Sequence, residues 1–162
     1  MNALDYAIDM EREGEKYYTE QAQLNKNNAV KEVCLILAKE ERIHAQILKN
    51  KADKRVYELP GSDSYAKIKN LFKDMENFKS EINETPTQLE FYKVALEKEK
   101  QSIDLYTDFL EKATDSEEQK LFTYLIEQEK SHFALFDELV TMVRHSEEWV
   151  ESAEFGIRKE DY

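Results

Sequence analysis

The sequence predicts an all-α protein: a four-helix bundle with one long crossover between its second and third helices and a short C-terminal helical tail. Three observations carry that prediction. The 162 residues include three Gly and two Pro against abundant Glu, Lys, Leu and Ala, a balance that favours long helices with few turns. Apolar residues recur at helical spacing in four long segments. Two of the connections between those segments are short and one is long. The length suits one domain with a substantial core. The bundle is expected over residues 1–145, with the long connection at about 53–85 and the tail over 146–162.

Asn2 opens the first helix, whose apolar stripe runs Leu4, Ala7, Ile8, Tyr18 and Ala22 and ends at the turn-forming Asn25-Lys26-Asn27-Asn28. The second helix carries Val30, Val33, Leu37, His44, Ile47 and Leu48 on one side. In the connection, Leu59-Pro60-Gly61-Ser62-Asp63 is a breaker. Ile68, Leu71, Phe72, Met75, Phe78 and Ile82 then repeat at helical spacing and predict a short helix within the connection. Thr85, Pro86 and Gln88 form a capping box with proline at the first helical position, starting the third helix through Tyr92, Ala95, Ile103, Tyr106, Phe109 and Leu110. Thr114 and Glu117 supply a second capping box for the fourth helix, through Leu121, Leu125, His132, Phe136, Leu139 and Val143. The tail, around Trp149 to Phe155, is expected as one more short helix docked on the bundle or on a second subunit.

A second helix of roughly 25 residues is about 37 Å long, and a 30-residue connection of the kind seen here can recross that length. The first and third helices are therefore expected to run antiparallel.

The net charge of −12 argues against nucleic acid as a partner, since nothing would neutralise its phosphates. The same charge keeps a protein soluble and can draw in cations. Charged residues make up 36% of the chain, but the 41% of hydrophobic residues, with nine Tyr and eight Phe, argue against disorder. Cys34 is the single cysteine, so neither an intrachain disulfide nor a thiolate cluster within this chain is available, and its apolar neighbours predict a buried small residue. The N-terminal residues lack the basic and apolar regions of a signal peptide. No segment approaches the roughly 20 apolar residues that span a membrane, so a soluble, cytoplasmic protein is expected.

The two helical pairs superpose without gaps. Glu11 falls on Glu99, Glu41 on Glu129 and His44 on His132, each at an offset of 88 residues (99 − 11, 129 − 41, 132 − 44). Ala7 falls on Ala95, Tyr18 on Tyr106, Val33 on Leu121, Leu37 on Leu125 and Leu48 on Phe136 in the same register. Glu41 with His44, and Glu129 with His132, place a carboxylate and an imidazole three residues apart on one helix face, where both can reach one metal ion. Glu11 and Glu99 interrupt apolar stripes rather than lying on the wet faces.

With so many Glu in the chain, any His has roughly a one-in-seven chance of a Glu three residues before it, so one such pair means little. Two pairs in register with two further Glu are much harder to produce by chance. His145 is the contrast: Met142 stands three before it, and it is expected as a solvated residue near a helix end. Buried carboxylates cost several kcal/mol each unless paired, and neither half offers an inward Lys or Arg at matching positions. Two divalent cations would neutralise the layer; oxygen with imidazole ligands suits iron or manganese, and zinc less exclusively. A Glu from each of two helices with Glu-x-x-His from the other two is the ligand pattern of di-iron and di-manganese bundles. Tyr18 and Tyr106, two turns from Glu11 and Glu99, can either hydrogen-bond a ligand carboxylate or fill the core.

At these residues the chain resembles the ferritin-like superfamily and, within it, the rubrerythrin-like di-iron proteins, over Leu4 to Val143. The resemblance implies that Glu41 and Glu129 bridge two irons, that Glu11 and Glu99 are terminal ligands, and that His44 and His132 each complete one metal. It also implies oxidation of a di-ferrous centre by peroxide or dioxygen, followed by re-reduction. The chain departs from rubrerythrins in two places. It lacks the paired Cys-x-x-Cys motifs of a rubredoxin-type domain, so electrons are expected from a separate donor protein. Ser102 stands where rubrerythrins carry an additional ligand Glu.

The leading expectation is therefore a di-iron oxidoreductase acting on hydrogen peroxide or dioxygen at a centre of four Glu and two His, as a homodimer. Iron handling of the ferroxidase type, and a non-enzymatic bundle with metal as its fastener, are the alternatives. Manganese and zinc remain compatible with the ligand set.

Overall fold

The computed structural model describes residues 2–25, 29–73 and 86–160, with side chains through 71 and from 89 to 141. Among the described residues every element is a helix: α1 (Ala3–Leu24), α2 (Ala29–Ala52), α3 (Ser64–Lys73), α4 (Pro86–Lys112) and α5 (Ser116–Glu160). The chain is a helical bundle, with the short α3 inside the long crossover as the periodicity predicted. Met75, Phe78, Ile82 and the Thr85 cap lie outside the described residues.

The helix ends follow local chemistry. Asn2 caps α1, its side chain accepting a hydrogen bond from the Asp5 N–H at 2.8 Å. Asn25 closes the same helix, its N–H and side-chain amide both donating to the Gln21 carbonyl. α2 ends in a left-handed residue, Lys54 (φ 57°), with the Arg55 N–H donating back to the Asn50 carbonyl at 2.8 Å. That is the geometry glycine usually supplies. The cap of α5 is Asp115 and not the expected Thr114: Asp115 Oδ1 accepts from the Glu118 N–H at 2.7 Å. The cap shifts by one residue, to a carboxylate that accepts from the helix N-terminal N–H groups and carries the charge favoured there.

The C-terminal segment corrects a second expectation. The region beyond 145 is helical, but it continues α5 without a break to Glu160. It contains no proline and five Glu, so nothing in it stops a helix apart from one glycine. His145 accordingly lies inside α5 rather than near its end. The side chains of His145, Trp149 and Phe155 are outside the described set.

α1 packs along α2, and α4 along α5, giving two helical hairpins that face each other. The core forms two apolar layers. One contains Tyr18, Val33, Leu37, Tyr92, Ala95, Phe136 and Leu139; the other contains Ala7, Leu48, Tyr106, Leu121 and Leu125. Tyr18 of α1 thus meets the start of α4, and Ala7 meets its later turns, so α1 and α4 run antiparallel as expected. Each residue and its counterpart 88 positions on occupy opposite layers: Ala7 and Ala95, Tyr18 and Tyr106, Leu37 and Leu125, Leu48 and Phe136. The hairpins are related by an approximate two-fold rotation. Its axis passes between the layers, where the polar residues sit.

Candidate metal centre

Between the two apolar layers lie Glu11, Glu41, His44, Glu99, Glu129 and His132, none more than 4% exposed. All six predicted side chains are brought together. They arrive from α1, α2, α4 and α5 because each replaces an apolar residue on an inward stripe. Two groups form, Glu11–Glu41–His44–Glu129 and Glu41–Glu99–Glu129–His132, with one ligating atom per residue and all atoms in a group within 4.8 Å of one another. Glu41 and Glu129 belong to both groups. His44 Nδ1 is 3.0 Å from Glu129 Oε1 and 3.5 Å from Glu11 Oε2. His132 Nδ1 is 3.3 Å from Glu41, 3.5 Å from Glu99 and 3.6 Å from Glu129. The rings lie nearly parallel, 6.1 Å apart.

Both tyrosine readings hold together. Tyr18 Oη donates to Glu99 Oε1 at 2.5 Å, and Tyr106 Oη donates to Glu11. The rings are fully buried and stack on Phe136 and Phe122 respectively. Each tyrosine serves the carboxylate of the other hairpin, a consequence of the antiparallel arrangement. Burial, reinforced by these carboxylates, pushes both hydroxyls well above the usual tyrosine range, so both remain donors.

The protonation of the layer follows from crowding. Burial raises the Glu41 and Glu129 carboxyls well above the usual range, and the neighbouring carboxylates add to the effect. Burial also works against ionised Glu11, but hydrogen bonding to Glu41 and the charge of His44 outweigh it and hold Glu11 down at about 2. Glu99 is lowered in the same way: burial is overcome mainly by His132. Burial favours neutral imidazoles, yet Glu11 and Glu99 overcome it and raise His44 and, more strongly, His132.

Glu11 Oε2, Glu41 Oε1, Glu99 Oε2, Glu129 Oε2 and His132 Nδ1 are buried without a hydrogen-bond partner. Among the described residues no Lys or Arg forms an ion pair with any of the six. Orphaned acceptors converging at ligand distances, with no Lys or Arg among them, fit a metal site. The buried Glu/His layer can hold a metal ion.

Two further features were not anticipated. Glu40, 9% exposed, accepts from His132 Nε2, the ring nitrogen opposite the cluster, and from Ser62 Oγ. On the sequence it is one more Glu in a charged helix; one of its partners, Ser62, comes from a crossover loop that sequence spacing does not place. Gly14 is the counterpart of Ser102 (14 + 88 = 102). Both line a cavity of about 540 Å³ that reaches Glu41 and Glu99, with Asp9, Glu13 and Asp104 also on its wall. A methyl group at Gly14 would stand 3.3 Å from Glu41 Oε2, so a larger side chain there would crowd this opening. Ser102 itself donates to the Lys98 carbonyl at 3.1 Å and brings no carboxylate to the cavity wall.

Cys34 is buried and unpaired, its thiol pushed up to about 12 by burial, which bears out a small apolar role and not a nucleophile. No helix among the described residues is long and apolar enough to cross a membrane. The family model described as Rubrerythrin matches residues 2–140. Comparison with curated proteins gives no match, and neither does comparison with solved structures.

Proposed function

The chain belongs to the rubrerythrin family, and from that membership and the buried carboxylate–imidazole layer we propose a di-iron oxidoreductase that reduces hydrogen peroxide or dioxygen. The observation that carries the proposal is the pair of overlapping ligand groups sharing Glu41 and Glu129. In this reading Glu41 and Glu129 bridge, Glu11 and Glu99 are terminal, and His44 and His132 each complete one ion. A bound ferrous pair would supply two electrons, which with two protons from solvent take hydrogen peroxide to two waters or dioxygen to hydrogen peroxide, and a separate donor protein would restore them.

The protein's own residues set the conditions. Tyr18 and Tyr106 fix the terminal carboxylates, so the ligands are preorganised and not recruited. The two apolar layers exclude water above and below the centre, which strengthens electrostatic interactions inside it. The cavity at Gly14 and Ser102 gives a small oxidant a route to the Glu41–Glu99 side. Cys34 lies in the apolar core and offers no thiol relay, which favours an external electron source.

The test is stopped-flow mixing of the anaerobic di-ferrous protein with peroxide. Formation of ferric absorbance within seconds is expected; iron that stays ferrous over minutes sinks the proposal. Iron handling is a second reading, favoured by the acidic wall of Asp9, Glu13 and Asp104 along the route. It predicts iron taken up beyond two ions per chain during aerobic loading, which an oxidoreductase of fixed stoichiometry does not show.

A further inference from the structure

We infer that Glu40 is a positioning residue: clamped by Ser62 of the crossover, it fixes the His132 imidazole and makes the two halves of the centre unequal, with the tighter ion on the His132 side. The inference rests on the metal reading above but goes beyond the ligand set.

Glu40 precedes a bridging carboxylate, yet its own carboxylate points away from the layer. One oxygen meets His132 Nε2 and the other meets Ser62 Oγ. Ser62 is held in turn: its hydroxyl lies 2.7 Å from Ser64 Oγ and accepts from the Ser64 N–H at 3.2 Å. The loop is pinned on its other side, where Tyr124 Oη donates to the Pro60 carbonyl at 2.6 Å. His132 presents Nδ1 to the ligand carboxylates, so an ion there leaves the ring proton on Nε2, donated to Glu40. A carboxylate behind a ligand imidazole fixes its tautomer and orientation and raises its basicity.

The other half has no such support. The counterpart of His132 is His44, and the counterpart of Glu40 is Gln128 (40 + 88 = 128), an amide in place of a carboxylate. Among the described residues no hydrogen bond reaches the outer nitrogen of His44. The residue instead lines a cavity of about 230 Å³ shared with Tyr124 and Gln128. The crossover loop and Glu40 border this cavity as well, but the Glu40 carboxylate is committed to His132 and Ser62, so the loop braces one imidazole and not the other.

Co(II) titration of the full chain, followed by visible absorbance and calorimetry, tests this on wild type, Glu40→Ala, Glu40→Gln and Ser62→Ala. Wild type should take two ions in two resolved steps. Glu40→Ala should weaken the tighter step by roughly 10–100-fold and leave the weaker one in place, merging the two. Glu40→Gln, which still accepts a hydrogen bond, should recover part of the loss, and Ser62→Ala should show a smaller loss in the same step. In the Co(II)-loaded wild type, one of the two hyperfine-shifted ligand-imidazole N–H signals should exchange slowly with D2O. In Glu40→Ala that protection should disappear. Circular dichroism of each metal-free variant checks folding, and if Glu40→Ala does not fold, Ser62→Ala carries the test. Two wild-type steps of equal affinity, equal weakening of both steps, or no change in the variants overturns the inference while leaving the metal site intact. Wild type that binds no Co(II) overturns the metal reading itself.

Discussion

Loading the centre with a divalent ion pair should expel close to four protons per chain. In the metal-free layer Glu11 and Glu99 are ionised, and His44 and His132 are held protonated by them. Glu41 and Glu129 are raised and carry protons. The charge of that layer is (−2) + (+2) = 0. Four ionised carboxylates, two neutral imidazoles and two divalent ions also sum to zero, (−4) + (+4) = 0. Protons and metal are thus alternative ways of neutralising the same six side chains, and the exchange releases two protons from carboxyls and two from imidazoles. Four protons correspond to about 5 kcal/mol of coupling between metal affinity and each pH unit. The assay is calorimetric titration with Zn(II) at about pH 6, below the ordinary histidine value, in buffers of different ionisation enthalpy. The slope of apparent enthalpy against buffer enthalpy gives the proton count. Fewer than three protons released would refute the reasoning, because the histidines alone would then account for nearly all of them.

The stability of the metal-free protein should fall as pH rises through neutrality. Glu41, Glu129, His44 and His132 all have raised folded values, so their contributions are full below the unfolded values and vanish as pH climbs through the folded ones. Glu11 and Glu99 act oppositely, losing their contribution as pH falls below about 4.5 toward the folded values; thermal melting from pH 3 to about 9 should therefore show a maximum in mildly acid solution, whereas the zinc-loaded protein should gain stability as pH rises through the same neutral range. Tyr106→Phe removes a buried bond to an ionised carboxylate and should cost about 1.5–3 kcal/mol in urea unfolding of the metal-free protein, with Tyr18→Phe costing a similar amount. Gly14→Leu should slow oxidation by peroxide, measured per bound iron pair, since it narrows the opening beside Glu41. Lys54→Gly should stabilise the fold by about 1 kcal/mol, seen as a higher melting temperature with metal content unaltered, by relieving the left-handed residue after α2.

The helices and the six site residues were legible because both obey one period. Glu11 and Glu99 declared themselves by interrupting apolar stripes, and the offset of 88 residues tied them to the Glu–His pairs. Side chains that depend on contacts between distant segments gave no such signal. Glu40 stands beside Glu41 and looks like surface charge until the loop carrying Ser62 folds over it. Gly14 appears as a weak point in a helix, and only its place on the cavity wall beside Ser102 gives it a role. The end of α5 was misplaced because an acidic, stripe-poor segment looks like a tail, although its residues sustain a helix well enough.

The crossed tyrosine bonds determine what either hairpin can do by itself. Tyr18 and Glu11 share a helix, yet Tyr18 holds Glu99 and Tyr106 holds Glu11. Each ligand group likewise draws on both hairpins: Glu129 joins the residues of α1 and α2, and Glu41 joins those of α4 and α5. An isolated hairpin would therefore have neither a complete ligand group nor an oriented terminal carboxylate, and it would expose an apolar face interrupted by acids. Docking of the hairpins and assembly of the centre are one event. This explains how a polar layer can persist between two apolar ones. In the docked state two-fold pairing gives it its hydrogen bonds, and in the separated state the carboxylates regain water. A metal ion bound to the docked state alone would stabilise the whole fold by mass action. The differences between the halves, Gly14 against Ser102 and Glu40 against Gln128, lie outside the six shared residues. One half can thus acquire an opening or a brace without disturbing the six side chains of the symmetric layer.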